Sequence, residues 1–355
     1  MPNPSTGIQQ RIAFKKAAVW GTAVACGATD EVLFLTGQAK RTAPVEIDQS
    51  RGSAFSKDGT AGQIDCPVQY TCNLRYVGMD VLIAMFMGIA GVPTVQGATS
   101  AYQNIYKFSP DVYGLMVTIA KLMGPYIEEV PTAKISEISI SGEVGPKPLQ
   151  LAITGIGINK EAASLVNTLA AFASVTLPTG ADKNAVMFSQ GVFRMNSQSG
   201  AALGAGDVIN PGKFALTLKR AVQGEYTGAY RTTGANPQDL RDEPSNSGMP
   251  DLKLTLDFPI HNNATYLTDL GADARKKMDI TFTGAQIAAP YNYQHLLQFP
   301  HLQMVTADPT DDNGRIKQPL EFHIHGASAA PTGMAGITDP LWWTVINTRS
   351  TNPLA

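Results

Sequence analysis

Two histidines near the C-terminal end, His323 and His325, are the residues whose spacing best suits a chemical role. They lie two apart on a predicted strand and so share a face, a geometry that can bind a metal when further ligands come from elsewhere. The nearest acids in sequence occupy a turn-like segment, and no third ligand has a recognisable spacing: Asp308, Asp311 and Asp312. The pattern therefore favours a solvated or interfacial histidine pair over a metal site.

Three other patterns resemble parts of sites without completing one. Glu128 and Glu129 are adjacent on a predicted strand and point to opposite faces, which favours a solvated edge over an acid–base pair. The glycine run at residues 200–206 lacks the Lys-Ser/Thr ending of a phosphate-binding loop. The basic clusters at 219–220 and 275–277 favour ion pairs or subunit contacts over a nucleic-acid site. The sequence therefore predicts no catalytic residue, metal or cofactor, and a protein that is not an enzyme.

Charged residues are scarce in this 355-residue chain, at 16% against about 25% in an average soluble domain. A surface so poor in charge is a solubility liability for a monomer, which favours burial of much of it in an assembly. The formal net charge of -2 lacks the basic footprint of a tight nucleic-acid binder. The composition therefore favours a self-assembling protein that does not bind nucleic acid tightly.

The three cysteines have no CxxC spacing and are predicted to be reduced, buried thiols: Cys26, Cys66 and Cys72. Lys15 and Lys16 precede a short apolar run that could pass for an export leader, but Gly21 and Thr22 interrupt it. The apolar run from Val81 to Val92 falls short of the ~20 residues that span a bilayer. No membrane contact is predicted.

A hairpin between Tyr126 and Lys160 is the clearest element that could position a functional surface. Its strands alternate apolar and polar residues, so each has one face for a core and one polar face. The apolar set is predicted to pack into the core: Ile138, Ile140, Leu149, Leu151 and Ile153. Between the strands, the segment from Gly142 to Pro148 is rich in turn-forming residues and is predicted to be an exposed loop.

Similar alternation predicts further strands along the chain, with few helices, and hence a mainly β fold. Strands are predicted at Val32–Thr36, Tyr70–Tyr76, Ile105–Phe108, Val186–Met195, Phe214–Leu218, Leu252–Phe258, Met278–Thr283 and Leu320–His325. Met79–Met87 is predicted as a short helix, and Tyr113–Met123 fits a strand or a helix. Long loops are predicted at Val45–Gly62 and Tyr226–Met249, the second an exposed or partner-bound excursion whose role the sequence leaves open.

The chain is interpreted as one elaborated unit spanning residues 1–355, with a flexible N-terminal arm at residues 1–12. A weak internal echo divides it into residues 13–175 and 176–355. In this echo, Tyr126 and Pro131 correspond to Tyr293 and Pro300, and the 149/151/153/155 series to the 320/322/324/326 series. Two sheets of one sandwich and an old duplication both fit the echo.

Several short motifs lie at characteristic places along the chain: Trp20-Gly21-Thr22 after a polar leader, Tyr76–Asp80 leading into Met87-Gly88, and a strand ending Phe108-Ser109-Pro110. They continue through Tyr126–Gly155. In these motifs the chain resembles the tail tube (major tail) proteins of long-tailed bacteriophages. The resemblance covers the first half well, and the second half only in strand order and in a late proline.

This resemblance implies a β-sandwich with a flanking α-helix and long loop insertions, whose strands join a β-barrel between subunits. Such subunits form rings, commonly hexameric, that stack into the hollow tail tube through which DNA enters the host. The partners implied are other copies of the chain, a tape-measure protein, tail-terminator and tail-tip proteins, and double-stranded DNA in passage. The implied location is the virion tail, assembled in the bacterial cytoplasm. A hexamer and a trimer of a duplicated chain remain alternatives.

Within this interpretation, the polar face of the hairpin is predicted to face the lumen: Glu137, Ser139, Ser141, Gln150 and Thr154. The intervening loop is predicted to contact the next ring or subunit: Gly142, Glu143, Val144, Gly145, Pro146, Lys147 and Pro148. An ordinary solvent-facing sheet is the alternative for the polar face. An alternative for the whole protein is a secreted or surface carbohydrate-binding or hydrolytic β-protein that uses the His323/His325 face.

Overall fold

Antiparallel strands make up most of the computed structural model, which describes residues 10–47, 55, 59–226, 240–261 and 264–355. The prediction of a mainly β fold is confirmed. The strands are β1 (Arg11–Ala17), β2 (Glu31–Val32), β3 (Thr36–Ala39), β4 (Val45–Ile47), β5 (Gly59–Ala61), β6 (Cys66–Asn73), β7 (Gly88–Ala90), β8 (Thr94–Val95), β9 (Tyr102–Phe108), β10 (Met116–Leu122), β11 (Ile127–Glu143), β12 (Gln150–Gly157), β13 (Gly191–Ser197), β14 (Val208–Ile209), β15 (Lys213–Lys219), β16 (Val222–Gln223), β17 (Ser245–Asn246), β18 (Asp251–Phe258), β19 (Lys276–Ala288), β20 (Tyr291–Thr306), β21 (Thr310–Asp312), β22 (Arg315–His325) and β23 (Trp342–Asn347). The α-helices are α1 (Asp80–Met87), α2 (Leu169–Phe172) and α3 (Thr265–Gly271).

Eight strands form one continuous antiparallel layer in the order β3–β6–β12–β11–β15–β18–β22–β20. We call it the inner sheet, because its apolar face is turned to the main core. The apolar residues of the predicted hairpin lie on that face and are almost completely buried: Ile138, Ile140, Leu149, Leu151 and Ile153. The alternation of the sequence therefore fixes which side of the hairpin meets the core.

A second layer packs against the apolar face of the inner sheet. It contains β2–β1–β10 with the start of β11, and β14–β13–β19 with the start of β20, extended by β23 and β9. Aromatic rings join the layers: Phe14 of β1 lies 5.8 Å from Tyr70 of β6, and Phe193 of β13 lies 5.6 Å from Phe214 of β15. The result is a β-sandwich in which β11 and β20 belong to both layers.

The short helix α1 is almost entirely buried beside the sandwich. It confirms the helix predicted at Met79–Met87, and Gly88 ends it with φ 93°, a conformation that glycine adopts without steric cost. The guanidinium of Arg220 caps this end by donating to the carbonyls of Phe86 (2.8 Å), Met87 (3.2 Å) and Ser109 (2.8 Å). Arg220 is therefore a buried helix cap, which differs from the ion-pairing or subunit contact favoured by the sequence.

The same strand-pairing pattern occurs twice along the chain. β1 pairs with β2 and β10, while β13 pairs with β14 and β19. β3–β6–β12–β11 is matched by β15–β18–β22–β20, and a helix, α1 or α3, follows β6 or β18. We call the two sets the first and second units.

The two long strands carry matching irregularities. In β11, Pro131 and Thr132 together oppose one residue of β10, and Ser136 is skipped in the register with β12. In β20, Pro300 and His301 oppose one residue of β19, and Val305 is skipped in the register with β22. Such bulges bend a strand, and here each pair of bulges accompanies the passage of a strand between layers.

These registers correct the echo proposed from the sequence. Gly155 lies opposite Ile135 just before the second bulge, and Phe322 occupies the same place opposite Met304. Phe322, and not Gly326, is therefore the counterpart of Gly155. The equivalence of Pro131 with Pro300 agrees with the structure.

Several predicted boundaries differ from the structure. Val32–Thr36 is split between β2 and β3, Tyr113–Met123 contains the strand β10, and β20 was not predicted as a strand. Of the predicted arm at residues 1–12, residues 1–9 lie outside the described residues, and β1 begins at Arg11. Within the predicted excursion, residues 227–239 also lie outside them.

Candidate functional site

The outer face of the inner sheet is a continuous polar surface, and the five polar residues singled out from the sequence form its centre. Cross-strand register places Glu137 beside Thr154 and Ser141 beside Gln150, with Ser139 between them on β11. All five side chains are half-buried or exposed in the monomer. The structure therefore brings them together on one face, away from the core. We call this surface the polar face.

The polar face extends across both units. Beyond β12 it continues over β6 and β3, and beyond β11 it continues over β15, β18 and β22. The side chains that join it alternate with buried leucines, isoleucines and aromatics, as expected for a two-faced strand. They include Gln38, Gln69, Thr71, Asn73, Ala215, Thr217, Lys253, Thr255, Glu321 and His323.

Charges on the polar face are arranged with opposite signs side by side. One row across three strands reads Glu137, Lys219, Asp251, and a parallel row reads Glu143, Lys213, Asp257. Directly opposed side chains on neighbouring strands lie within interaction range. Lys253 also pairs with Asp251 at 3.4 Å. Among the residues that the structure describes, this surface therefore has no basic stripe that would hold a phosphate backbone.

The predicted loop at Gly142–Pro148 needs a correction at its start. Gly142 and Glu143 belong to β11 and pair with Phe214 and Lys213 of β15. Only residues 144–147 are turn-like, and all four are exposed at the end of the hairpin. The candidate contact segment is therefore shorter than predicted and projects from one end of the inner sheet.

His323 and His325 share a strand face, and the structure adds His301, which the sequence did not point to. His301 lies directly opposite His325 on β20, with ring centroids 5.4 Å apart, and His323 lies 6.2 Å from His325. Desolvation by burial lowers the pKa of both His301 and His325. Across the described part of the chain, no three His, Cys, Asp or Glu side chains are placed to hold a metal ion.

Glu129 is buried, which corrects the solvated edge favoured by the sequence. It accepts hydrogen bonds from Ser164 (2.7 Å) and from the side-chain amide of Asn167 (2.5 Å). Its neighbour Glu128 pairs with Lys160 at 3.2 Å. Glu129 thus has a structural role, and the two carboxylates point to different partners.

The three cysteines are free and buried, as predicted. Burial raises the pKa of each of the three thiols to about 12. Thiolate is the nucleophilic form, so these thiols are inert near neutral pH. The helices described here also include none with the length and apolar character to cross a bilayer.

A family model described as "Phage tail tube protein" matches residues 7–341. No curated protein matched the chain. The match covers both units and the whole of the polar face.

Proposed function

We propose, because this chain belongs to the phage tail tube protein family, that it polymerises into stacked rings that form the hollow tube for DNA delivery into the host. The structural role in the tail follows from membership of the family. The observation that supports the finer proposal is the inner sheet, an eight-stranded layer with one polar face. An open sheet with long edges invites pairing with further strands, and closure into a barrel removes those edges.

In this proposal the polar face is the wall of the lumen. The opposite face of the same sheet is occupied by the core, so closure of the sheet around an axis leaves the polar face toward the channel. Small and hydroxyl side chains at its centre, such as Ser139, Thr154 and Thr217, leave the channel open. The alternating charges keep the wall near neutrality, so DNA in passage is not held by counterion release.

The exposed loop at residues 144–147 projects from the end of the β11–β12 hairpin, so we assign it to contact between stacked rings. A tape-measure protein would fill the lumen during assembly in the bacterial cytoplasm. Tail-terminator and tail-tip proteins would close the ends of the tube. A ring of hexameric appearance is expected, whether its six units come from six chains or from fewer.

Purified protein concentrated at neutral pH is expected to form rings or tubes with a stain-filled central channel under negative-stain electron microscopy. The reason is that edge pairing is intermolecular and is favoured by concentration. A protein that stays monomeric at every concentration, with its polar face open to solvent, would overturn the proposed function. If the protein instead had the alternative function, as a carbohydrate-binding or hydrolytic β-protein, its binding or activity would depend on His323 or His325.

The double substitution S139K/T217K is expected to leave tube assembly intact but to slow DNA ejection and lower infectivity. The two positions are directly opposed on β11 and β15, so the change adds a basic patch, repeated around the wall, that binds phosphate. The matched control is Leu165→Lys, at an exposed position off the polar face. The rate of ejection is measured with a dye that fluoresces when it binds the released DNA. Ejection as fast as in the wild type would place the polar face outside the lumen.

A further inference from the structure

Three of the five histidines of the chain meet at the end of β22, on the side of the inner sheet that carries the polar face. The rings of His301 and His325 lie 5.4 Å apart, and those of His323 and His325 lie 6.2 Å apart. His301 is the second residue of the bulge in β20 and lies directly opposite His325. We call these three side chains the histidine cluster.

The fold does not require histidines at these positions. In the first unit, the register between β11 and β12 gives their counterparts, none of which is titratable: Thr132, Ile156 and Ile158. Thr132 and Ile158 are buried, whereas the three histidines are half-buried or exposed. The histidine cluster is therefore a feature of the second unit alone, and it reaches solvent.

Arg275, just before β19, adds a permanent positive charge beside the cluster. Burial is the first cause of the lowered pKa of His325, followed by the positive charges of the other two histidines and of Arg275. Burial also comes first for His301, whose pKa the charge of Arg275 lowers further, against a backbone hydrogen bond at Gly326. Like charges close together disfavour the protonated form. The protonated cluster is therefore a concentrated positive charge without an anion beside it.

Two buried nitrogen atoms in this region have no hydrogen-bond partner among the residues that the structure describes: Nε2 of His301 and Nη1 of Arg275. The other terminal nitrogen of Arg275 pairs with Asp273 at 2.8 Å, and Asp273 also accepts from Gln303 at 3.2 Å. Both ring nitrogens of a protonated histidine are donors. A buried donor without a partner costs free energy, so an anion that accepts from these nitrogens would be stabilising.

We propose that the histidine cluster and Arg275 bind a phosphate group when the histidines are protonated. Phosphate oxygens accept charge-assisted hydrogen bonds from imidazolium and guanidinium groups. The negative charge of the phosphate relieves the repulsion within the cluster, so binding and protonation strengthen each other. The site lies within one chain, so the inference goes beyond the proposed function and needs no ring.

Neighbouring elements add charges mainly as ion pairs, which leave the charge of the cluster in place. At neutral pH the histidines are mostly uncharged, and acidification adds up to three positive charges against the single negative charge of Glu321. A DNA backbone and free inorganic phosphate both supply the group that such a site binds. The further charged side chains are Lys253 of β18, opposite His323 and paired with Asp251 at 3.4 Å, Lys276 of β19, paired with Asp269 at 2.6 Å, and Glu321, two residues before His323 on β22.

The test is the binding of a short DNA duplex with a pH-insensitive dye, followed by fluorescence anisotropy at a protein concentration below that of assembly. The charge of the DNA backbone is constant in this pH range, so the pH dependence reports on the protein. The wild type is expected to bind roughly tenfold more tightly at about pH 5.5 than at about pH 7.5, as for the uptake of one or two protons. His301→Gln and the exposed-site variant His325→Gln should each lose part of this gain, and H301Q/H325Q should lose most of it.

His261→Gln is the matched control, because it removes one imidazole outside the cluster, where His261 contacts Gln318 at 3.0 Å. It is expected to keep the wild-type gain. Equal losses in His261→Gln and His301→Gln would overturn the phosphate site, since net charge alone would then govern binding. A wild type without the gain, or a full gain in H301Q/H325Q, would also overturn it.

Competition at constant ionic strength separates the two sources of the phosphate group. Stronger displacement of the duplex by sodium phosphate than by sodium chloride identifies free phosphate as a ligand, and equal displacement identifies the DNA backbone. Arg275→Gln should weaken the acid-pH binding while the binding still responds to pH. Failure of the phosphate site leaves the tube role in place, because the formation of rings or tubes by the wild type tests that role separately.

Discussion

Replacement of Glu243 by alanine is expected to lower the free energy of unfolding by about 3–5 kcal/mol. Glu243 Oε1 lies 2.5 Å from the ammonium of Lys134, which is 1% exposed, and also accepts from the Gly114 amide at 2.7 Å. Burial lowers the pKa of Lys134, which the carboxylate of Glu243 partly offsets. Without that carboxylate, the buried ammonium keeps one hydrogen bond within the described part of the chain, to the carbonyl of Val112 at 2.9 Å, and lies 5.7 Å from the centre of the Tyr113 ring.

Urea unfolding of the variant at a concentration below that of assembly measures the effect, because assembly would add a concentration-dependent stability. The double variant K134M/E243A is expected to recover much of the loss, since it removes the charge together with its partner. The exposed pair Lys253–Asp251 is the control, and its disruption by Lys253→Ala should cost at most about 1 kcal/mol. Equal losses at the two sites would contradict a special role for the buried pair.

Acidification from pH 6.5 to pH 4 is expected to lower the free energy of unfolding by up to about 3 kcal/mol through His295 alone. Trp343 donates its indole N–H to Nδ1 of His295 at 3.0 Å, and Nε2 faces the carbonyl of Arg75 at 3.1 Å. Nδ1 is therefore the acceptor. Protonation of Nδ1 would place its N–H directly opposite the indole N–H of Trp343, so that two donors would face each other without an acceptor. Burial lowers the pKa of His295 to about 4, partly offset by the bond to Arg75 and by Asp80.

Stability falls with acidification because the pKa of His295 is lower in the folded state than in the unfolded state. Above pH 6.5 both states hold a neutral imidazole and the full stability is present. As the pH falls toward 4, only the unfolded state takes up the proton, so unfolding becomes easier. Urea unfolding across this pH range should show a smaller loss of unfolding free energy on acidification for His295→Gln than for the wild type. The control variant His323→Gln, on the polar face, should show the same loss as the wild type. Identical pH slopes in all three would contradict the assignment.

The hairpin and the helix α1 could be predicted because their signals are local. Strict alternation around Ile138 and Leu151 predicts strands with one buried face, and the buried side chains agree. The strand β20 escaped prediction because its two bulges, at Pro300–His301 and at Val305, break the alternation. The echo between the halves was seen at the correct strands, but on β22 it matched Gly326, and not Phe322, to Gly155.

The buried polar groups could not be predicted, since their partners lie far away in the sequence. Lys134 meets Glu243, Arg220 meets the end of α1, and Glu129 meets Asn167. Each looks like a surface residue by type, and burial is favourable only because a distant segment supplies its hydrogen bonds. For the candidate site, the sequence placed five polar residues on one face, whereas the extent of that face depends on the pairing between β11 and β15.

That pairing between β11 and β15 also bears on how the protein folds. Because both strands belong to one chain, this junction forms during folding, at the effective concentration of tethered segments. Its formation therefore does not depend on the protein concentration.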